Sequence, residues 1–175
     1  GCQGHLRSTS GGVGAGTDPT STSMRVGRRI LQSGDTTTGV WTNATGVSVI
    51  VLRGHSPVDP QGDSTSAGTV SGSSMNWGTQ IFDTANGTSW DVLCGAHFSA
   101  TDVNTVALTG STNRSGGTLT QSCIHTAENV TGWSSTSKTV NTTASHVRIS
   151  VEIRARSIRS HAILSGVHQG ILTGV

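Results

Sequence analysis

The sequence predicts an all-β fold, an antiparallel two-sheet sandwich, and three observations lead there. Apolar and polar residues alternate with a period of two in one short segment after another, as in strands whose successive side chains point to opposite faces. Gly, Asn, Asp and Ser, which tolerate the backbone angles of tight turns, separate these segments. No stretch carries the three-to-four-residue apolar repeat of an amphipathic helix.

Along the chain, residues 1–20 hold Gly11, Gly12, Gly14 and Gly16 and hardly any large apolar side chain, so they are expected to form a flexible or extended arm. The chain opens on Gly1 rather than Met, which points to processing or to a longer protein. Residues 47–52, Val-Ser-Val-Ile-Val-Leu, are nearly continuous in apolar, β-branched side chains, the pattern of a central strand covered on both faces. In 90–98, Trp90, Val92, Cys94, Ala96 and Phe98 share one parity while Asp91, Leu93, Gly95 and His97 share the other, which reads as another core strand. The clearest alternation is 146–155, where Val147, Ile149, Val151 and Ile153 alternate with Arg148, Ser150, Glu152 and Arg154; it predicts a strand with one buried and one wet face. Weaker strands are expected at 23–31, 77–83, 105–109, 117–124 and 138–142, with turns at Gly34-Asp35, 57–66, Asn86-Gly87 and 113–117.

Roughly seven to nine strands fit the spacing of these turns, as in a jelly-roll-like or immunoglobulin-like sandwich spanning residues 21–156. The tail, 157–175, contains a near repeat, Ile163-Leu164-Ser165-Gly166-Val167 and Ile171-Leu172-Thr173-Gly174-Val175. So apolar a tail is expected to add a strand to its own sheet or to that of another copy.

At 175 residues the chain suits one domain. Only 32% of residues are hydrophobic and 11% charged, but the net charge of +2 and the clustering of the apolar residues argue against disorder. No run approaches the roughly 20 apolar residues of a membrane helix and no signal peptide opens the chain, so no membrane partner is expected.

The search for chemistry finds little. Seven Asp residues sit mostly beside turn signals, where Asp bonds its own backbone. Asp59-Pro60-Gln61-Gly62-Asp63 is the only faint calcium loop. The seven His residues show no zinc spacing, and the three Cys residues are too few and odd in number for a disulfide framework; Cys94 and Cys123 read as small buried hydrophobes. Gly68-Thr69-Val70-Ser71-Gly72 is not a nucleophile elbow. A glycan hydrolase needs two carboxylates facing one cleft, and of the two Glu residues, Glu128 and Glu152, the second falls on the expected wet face without a partner. No enzyme activity, metal or cofactor is expected.

Ten Arg against one Lys is unusual. Arg25, Arg28 and Arg29 form one group, and Arg148, Arg154, Arg156 and Arg159 a second, suited to gripping phosphates or the carboxylates of a neighbouring subunit, the latter being the expected use. With no Tyr, two Phe and so low a net charge, nucleic acid is not an expected partner. Of four Trp residues, Trp90 reads as core, whereas Trp41 and Trp133 could serve as exposed platforms for stacking sugars. Five Asn-x-Ser/Thr sequons, at Asn43, Asn86, Asn113, Asn129 and Asn141, are unremarkable in so Ser/Thr-rich a chain.

The stretch from Met24 through Arg28-Arg29-Ile30-Leu31-Gln32-Ser33-Gly34-Asp35 and Thr36-Thr37-Thr38-Gly39-Val40-Trp41, then 47–52 and Arg53-Gly54 before a Pro/Asp loop, resembles jelly-roll virion structural proteins of tailed bacteriophages. Thr88-Ser89-Trp90 opening a later strand, and the alternation ending near Arg154, extend the likeness over roughly residues 21–155. The resemblance implies a capsid decoration protein, fibre or other tail-associated part, made in the host cytoplasm and located in the virion, with no cofactor and no catalytic residue. Such a part would meet copies of itself, a trimer foremost, and other virion proteins through Arg154, Arg156, Arg159, Ile163, Leu164, Ile171 and Leu172. The alternative is a carbohydrate-binding or adhesin module holding host surface glycans on Trp41 and Trp133.

Overall fold

A computed structural model of the chain describes residues 13–15, 24–28, 34, 36, 46–56, 60–83, 87–116 and 119–155. Among these the fold is all-β, with antiparallel sheets and no helix. The strands are β1 (Val13–Ala15), β2 (Met24–Val26), β3 (Gln61–Trp77), β4 (Gln80–Ile81), β5 (Ser89–His97), β6 (Thr112–Asn113), β7 (Ser122–Val130), β8 (Gly132–Trp133) and β9 (Thr136–Ile153). A five-stranded sheet of order β3-β9-β5-β7-β6 carries the fold, with β1-β2 and β4-β8 as two-stranded pieces. Val13–Ala15, inside the stretch read as an arm, thus forms a strand.

β9 lies between β3 and the central strand β5, paired along one edge with β3 and along the other with β5. The β3–β9 ribbon shifts register between Gln61 and Ser64, between Ala67 and Val70 and between Gly72 and Ser74, and such bulges bend and twist a strand pair. Its far end consequently lies across β5: Trp77 Nε1 donates to the Cys94 carbonyl at 2.9 Å, and the Trp77 ring packs over Gly95. A Cβ on Gly95 would stand 2.8 Å from both Met75 and Trp77, so only glycine admits them this close.

Each face of the sheet carries its own core. Val92, Cys94, Ile124, Val147, Ile149 and Val151 pack on one face, under Met24, Val26, Ile50 and Leu52. The opposite face buries Met75, Trp77, Leu93, Cys123 and Ala127 with Phe82, Val103, Leu108 and Trp133. This double cover corrects the reading of 146–155. Arg148, Ser150 and Glu152, expected in water, are buried together with His146 and with Val147, Ile149 and Val151. Sequence alternation reports polarity, and here the polar side of β9 is itself roofed by the folded-back ribbon and β4.

Three other expectations change. Residues 47–52 are not a strand: Ile50 and Leu52 face the core, while Val47, Val49 and Val51 are 42%, 56% and 60% exposed. Residues 105–109 form turns in which the amides of Thr105 and Val106 donate to the Asp102 carbonyl, placing Val103 and Leu108 over the core. Gln61–Ser66, read as turn, belongs to β3.

Candidate functional site

The register of β5 against β9 builds a ladder on the polar face: His97 opposite His146, Gly95 opposite Arg148, Leu93 opposite Ser150 and Asp91 opposite Glu152. Paired residues on antiparallel strands share a face, so the two acids are cross-strand neighbours. Both are 0% exposed. This overturns the expectation that Glu152 has no partner.

Glu152 Oε1 accepts from the Ser89 hydroxyl at 2.7 Å and Oε2 from the Asp63 amide at 2.9 Å. A Cβ at position 62 would stand 1.8 Å from Oε2, so Gly62 makes room for the carboxylate. Asp91 faces the Ser150 hydroxyl at 2.8 and 3.0 Å, and that hydroxyl also contacts Gln80 Oε1. One hydroxyl hydrogen cannot serve three acceptors. A protonated Asp91 resolves the conflict, donating to Ser150 while Ser150 donates to Gln80. Burial, opposed by the Ser150 hydrogen bond and reinforced by Glu152, accordingly raises the Asp91 carboxyl from 3.8 to about 7.

At the other end of the ladder the imidazoles of His97 and His146 stack, with centroids 5.7 Å apart. Both direct a ring nitrogen to the Gly72 carbonyl, at 3.1 and 3.2 Å. His97 Nδ1 accepts from the Ser99 and Ala100 amides, which fixes Nε2 as its protonated nitrogen. Burial, then the Arg148 charge, lowers the His146 pKa.

Between acids and imidazoles lies Arg148, 9% exposed, whose only cross-strand neighbours are Gly95 and Ala67. Its Nε is buried without a hydrogen-bond partner among the described residues, and no carboxylate among them pairs with it. Burial lowers its pKa. The side chain lines a cavity of about 320 Å³ together with Thr65, Ser66, Asn76, Trp77 and Ser150.

A separate polar group holds the turns beneath Trp77. The buried Lys138 ammonium donates to the carbonyls of Val103 and Val106 and to His125 Nε2, 3.1 Å away. Accepting there, His125 carries its proton on Nδ1, facing Ser111 Oγ at 3.3 Å. Burial first and Lys138 second lower its pKa from 6.5 to about 4. Ser111 donates its own proton to the Leu108 carbonyl, so this histidine does not activate it.

Cys94 and Cys123 are free and buried on opposite faces of the sheet, Cys94 being opposite Ile124 and Cys123 opposite Gly95. Burial pushes the Cys94 thiol up to about 12 and raises Cys123 as well. In a Cys2→Ser variant, Ellman's reagent should therefore label no thiol in the native protein and both after denaturation.

Of the residues expected to make contacts, Arg154 is half-buried, its amide donating to the Pro60 carbonyl and its carbonyl accepting from Ser56, both at 2.9 Å. Arg156, Arg159, Ile163, Leu164, Ile171, Leu172 and Trp41 lie outside the described residues. Trp133 is not an exposed platform: it is 6% exposed within the core, because Gly132–Trp133 pairs with Gln80–Ile81 over the sheet. Trp90, expected in the core, is only half-buried. Glu128 pairs with Arg114 at the surface, where such pairs contribute little. In the faint calcium loop, Asp59 lies outside the described residues, and the amide of Asp63 is turned to Glu152. Among the described residues no three His, Cys, Asp or Glu side chains gather as metal ligands. Compared with protein-family models, with curated proteins and with solved structures, the chain matches none.

Proposed function

We propose that this chain is a structural component of a bacteriophage virion, a capsid decoration protein or other surface or tail-associated part that acts through subunit contacts rather than catalysis. The observation that carries the reading is the row Val47, Val49 and Val51, exposed on one side of an extended segment in a chain with few large apolar residues. Contiguous exposed apolar side chains mark contact surfaces. Two further features support it. β3 ends the five-stranded sheet, and among the described residues no strand pairs with its outer edge over 17 residues, which suits strand addition by a neighbour. The exposed valines also fall inside the stretch that resembles phage virion proteins.

In this reading the folded-back β3–β9 ribbon with β4 and β8 forms the second layer of a jelly-roll-like sandwich, and the tail supplies contacts through Ile163, Leu164, Ile171 and Leu172. A homotrimer is the expected assembly. Sedimentation velocity of the full chain should show an oligomer. Val49→Asp combined with Val51→Asp, or deletion of residues 163–175, should shift it to monomer while the circular dichroism of the β-fold is retained. A chain that sediments as monomer at high micromolar concentration, or one whose assembly survives both changes, overturns the proposal.

A further inference from the structure

We infer that the cavity at Arg148 is a binding site for a single carboxylate-bearing sugar unit, of the uronate type. A guanidinium presents its donors in a planar fork matched to a carboxylate. Here Arg148 is nine-tenths buried as a residue, its buried Nε meets no acceptor among the described residues, and the side chain lines a cavity. Burying a cation without a counter-charge destabilises a fold, so a group kept this way answers to something that enters the cavity.

The remaining walls define the ligand. The hydroxyl of Thr65, which register places on the Arg148 face, and the amide of Asn76, whose Oδ1 also accepts from Ser135, offer donors and acceptors of the kind sugar hydroxyls require, and Trp77 borders the cavity. A volume of about 320 Å³ sits at the small end of ligand pockets and suits one sugar ring, not a nucleotide or a peptide. Charge selects a monoanion over a phosphate. Arg148 is the one cation on the cavity wall, no glycine-rich phosphate loop faces it, and the acids Asp91 and Glu152 continue along the same face of the sheet. The site differs from the Trp stacking platform expected from sequence and stands independently of the subunit contacts proposed above.

Isothermal titration of the full chain with glucuronate, glucose, acetate and inorganic phosphate tests the inference. Glucuronate should bind saturably and at least about ten-fold more tightly than the other three, each lacking half of the complementary groups. Arg148→Met should abolish that binding with a melting temperature equal to or above that of the parent, since an apolar side chain relieves an unpaired buried cation. Asn76→Ala, at an exposed position on the cavity rim, should weaken glucuronate severalfold in a protein that melts normally, so the site remains testable if Arg148→Met fails to fold. Four results overturn the inference: glucuronate binding no tighter than acetate, phosphate binding tightest, no saturable binding at all, or glucuronate affinity unchanged in folded Asn76→Ala protein.

Discussion

Replacing Gly62 by Ala should cost about 3–5 kcal/mol and lower the melting temperature by about 10 °C, a large loss for the gain of one methyl group. Gly62 needs no left-handed backbone, so alanine is acceptable there in conformation and even restricts the unfolded chain favourably. The loss comes from the opposing side chain. The new Cβ would occupy the place of Glu152 Oε2, which accepts the Asp63 amide, while Oε1 accepts Ser89. Displaced from both donors in a fully buried position, the carboxylate has nowhere solvated to go. A double-mutant cycle isolates this cause: in a Glu152→Ala background the same Gly62→Ala change should cost less than about 1 kcal/mol. A cost that stays the same in both backgrounds would place the damage in the β3 backbone rather than at the acid.

How much of this was readable beforehand depends on the kind of information each feature needs. The all-β class followed from local alternation, and β5 and β9 fall where Trp90–Phe98 and His146–Ala155 alternate, because period two is a property of a strand by itself. Which face of β9 meets water is not such a property. Arg148, Ser150 and Glu152 look solvent-facing in isolation, and only their register against Gly95, Leu93 and Asp91, with the bent ribbon above, makes them interior. Residues 47–52 fail in the opposite sense: continuous valine and isoleucine predicts cover on both faces, yet the structure covers only the side of Ile50 and Leu52. Along the chain Arg148 groups with Arg154, Arg156 and Arg159 as a surface contact, since nothing in its sequence neighbourhood announces a cavity. The signal that could have found it is the pairing of two polar parities, Asp91 and His97 on one strand with His146, Arg148 and Glu152 on another, and that requires knowing that the strands are adjacent.

Replacing Asp91 by Asn should stabilise the protein by about 2 kcal/mol or more at pH 8 and leave it nearly unchanged at pH 4. An asparagine amide donates to Ser150 as the protonated acid does, so the substitution imitates one protonation state and removes the other. With a folded pKa of about 7 against 3.8, Asp91 holds a proton in the native state over a range where the unfolded chain has released it. Its contribution is intact below pH 3.8 and is lost as pH rises through about 7, a change on the order of 4 kcal/mol in full. His125 runs the other way. Its pKa is about 4 when folded and 6.5 otherwise, so its contribution is present above pH 6.5 and is lost as pH falls through about 4, and the lowered pKa of His146 acts in the same direction. Asp91 and the two histidines therefore oppose one another between about pH 4 and 7, which predicts a flat stability profile for the parent protein. Asp91→Asn removes the falling arm alone, and thermal melts of that variant should show stability climbing steadily from pH 4 to pH 7. A variant less stable than the parent at pH 8 would mean that Asp91 is held ionised, with the Ser150 proton turned toward it and Gln80 Oε1 left without a donor.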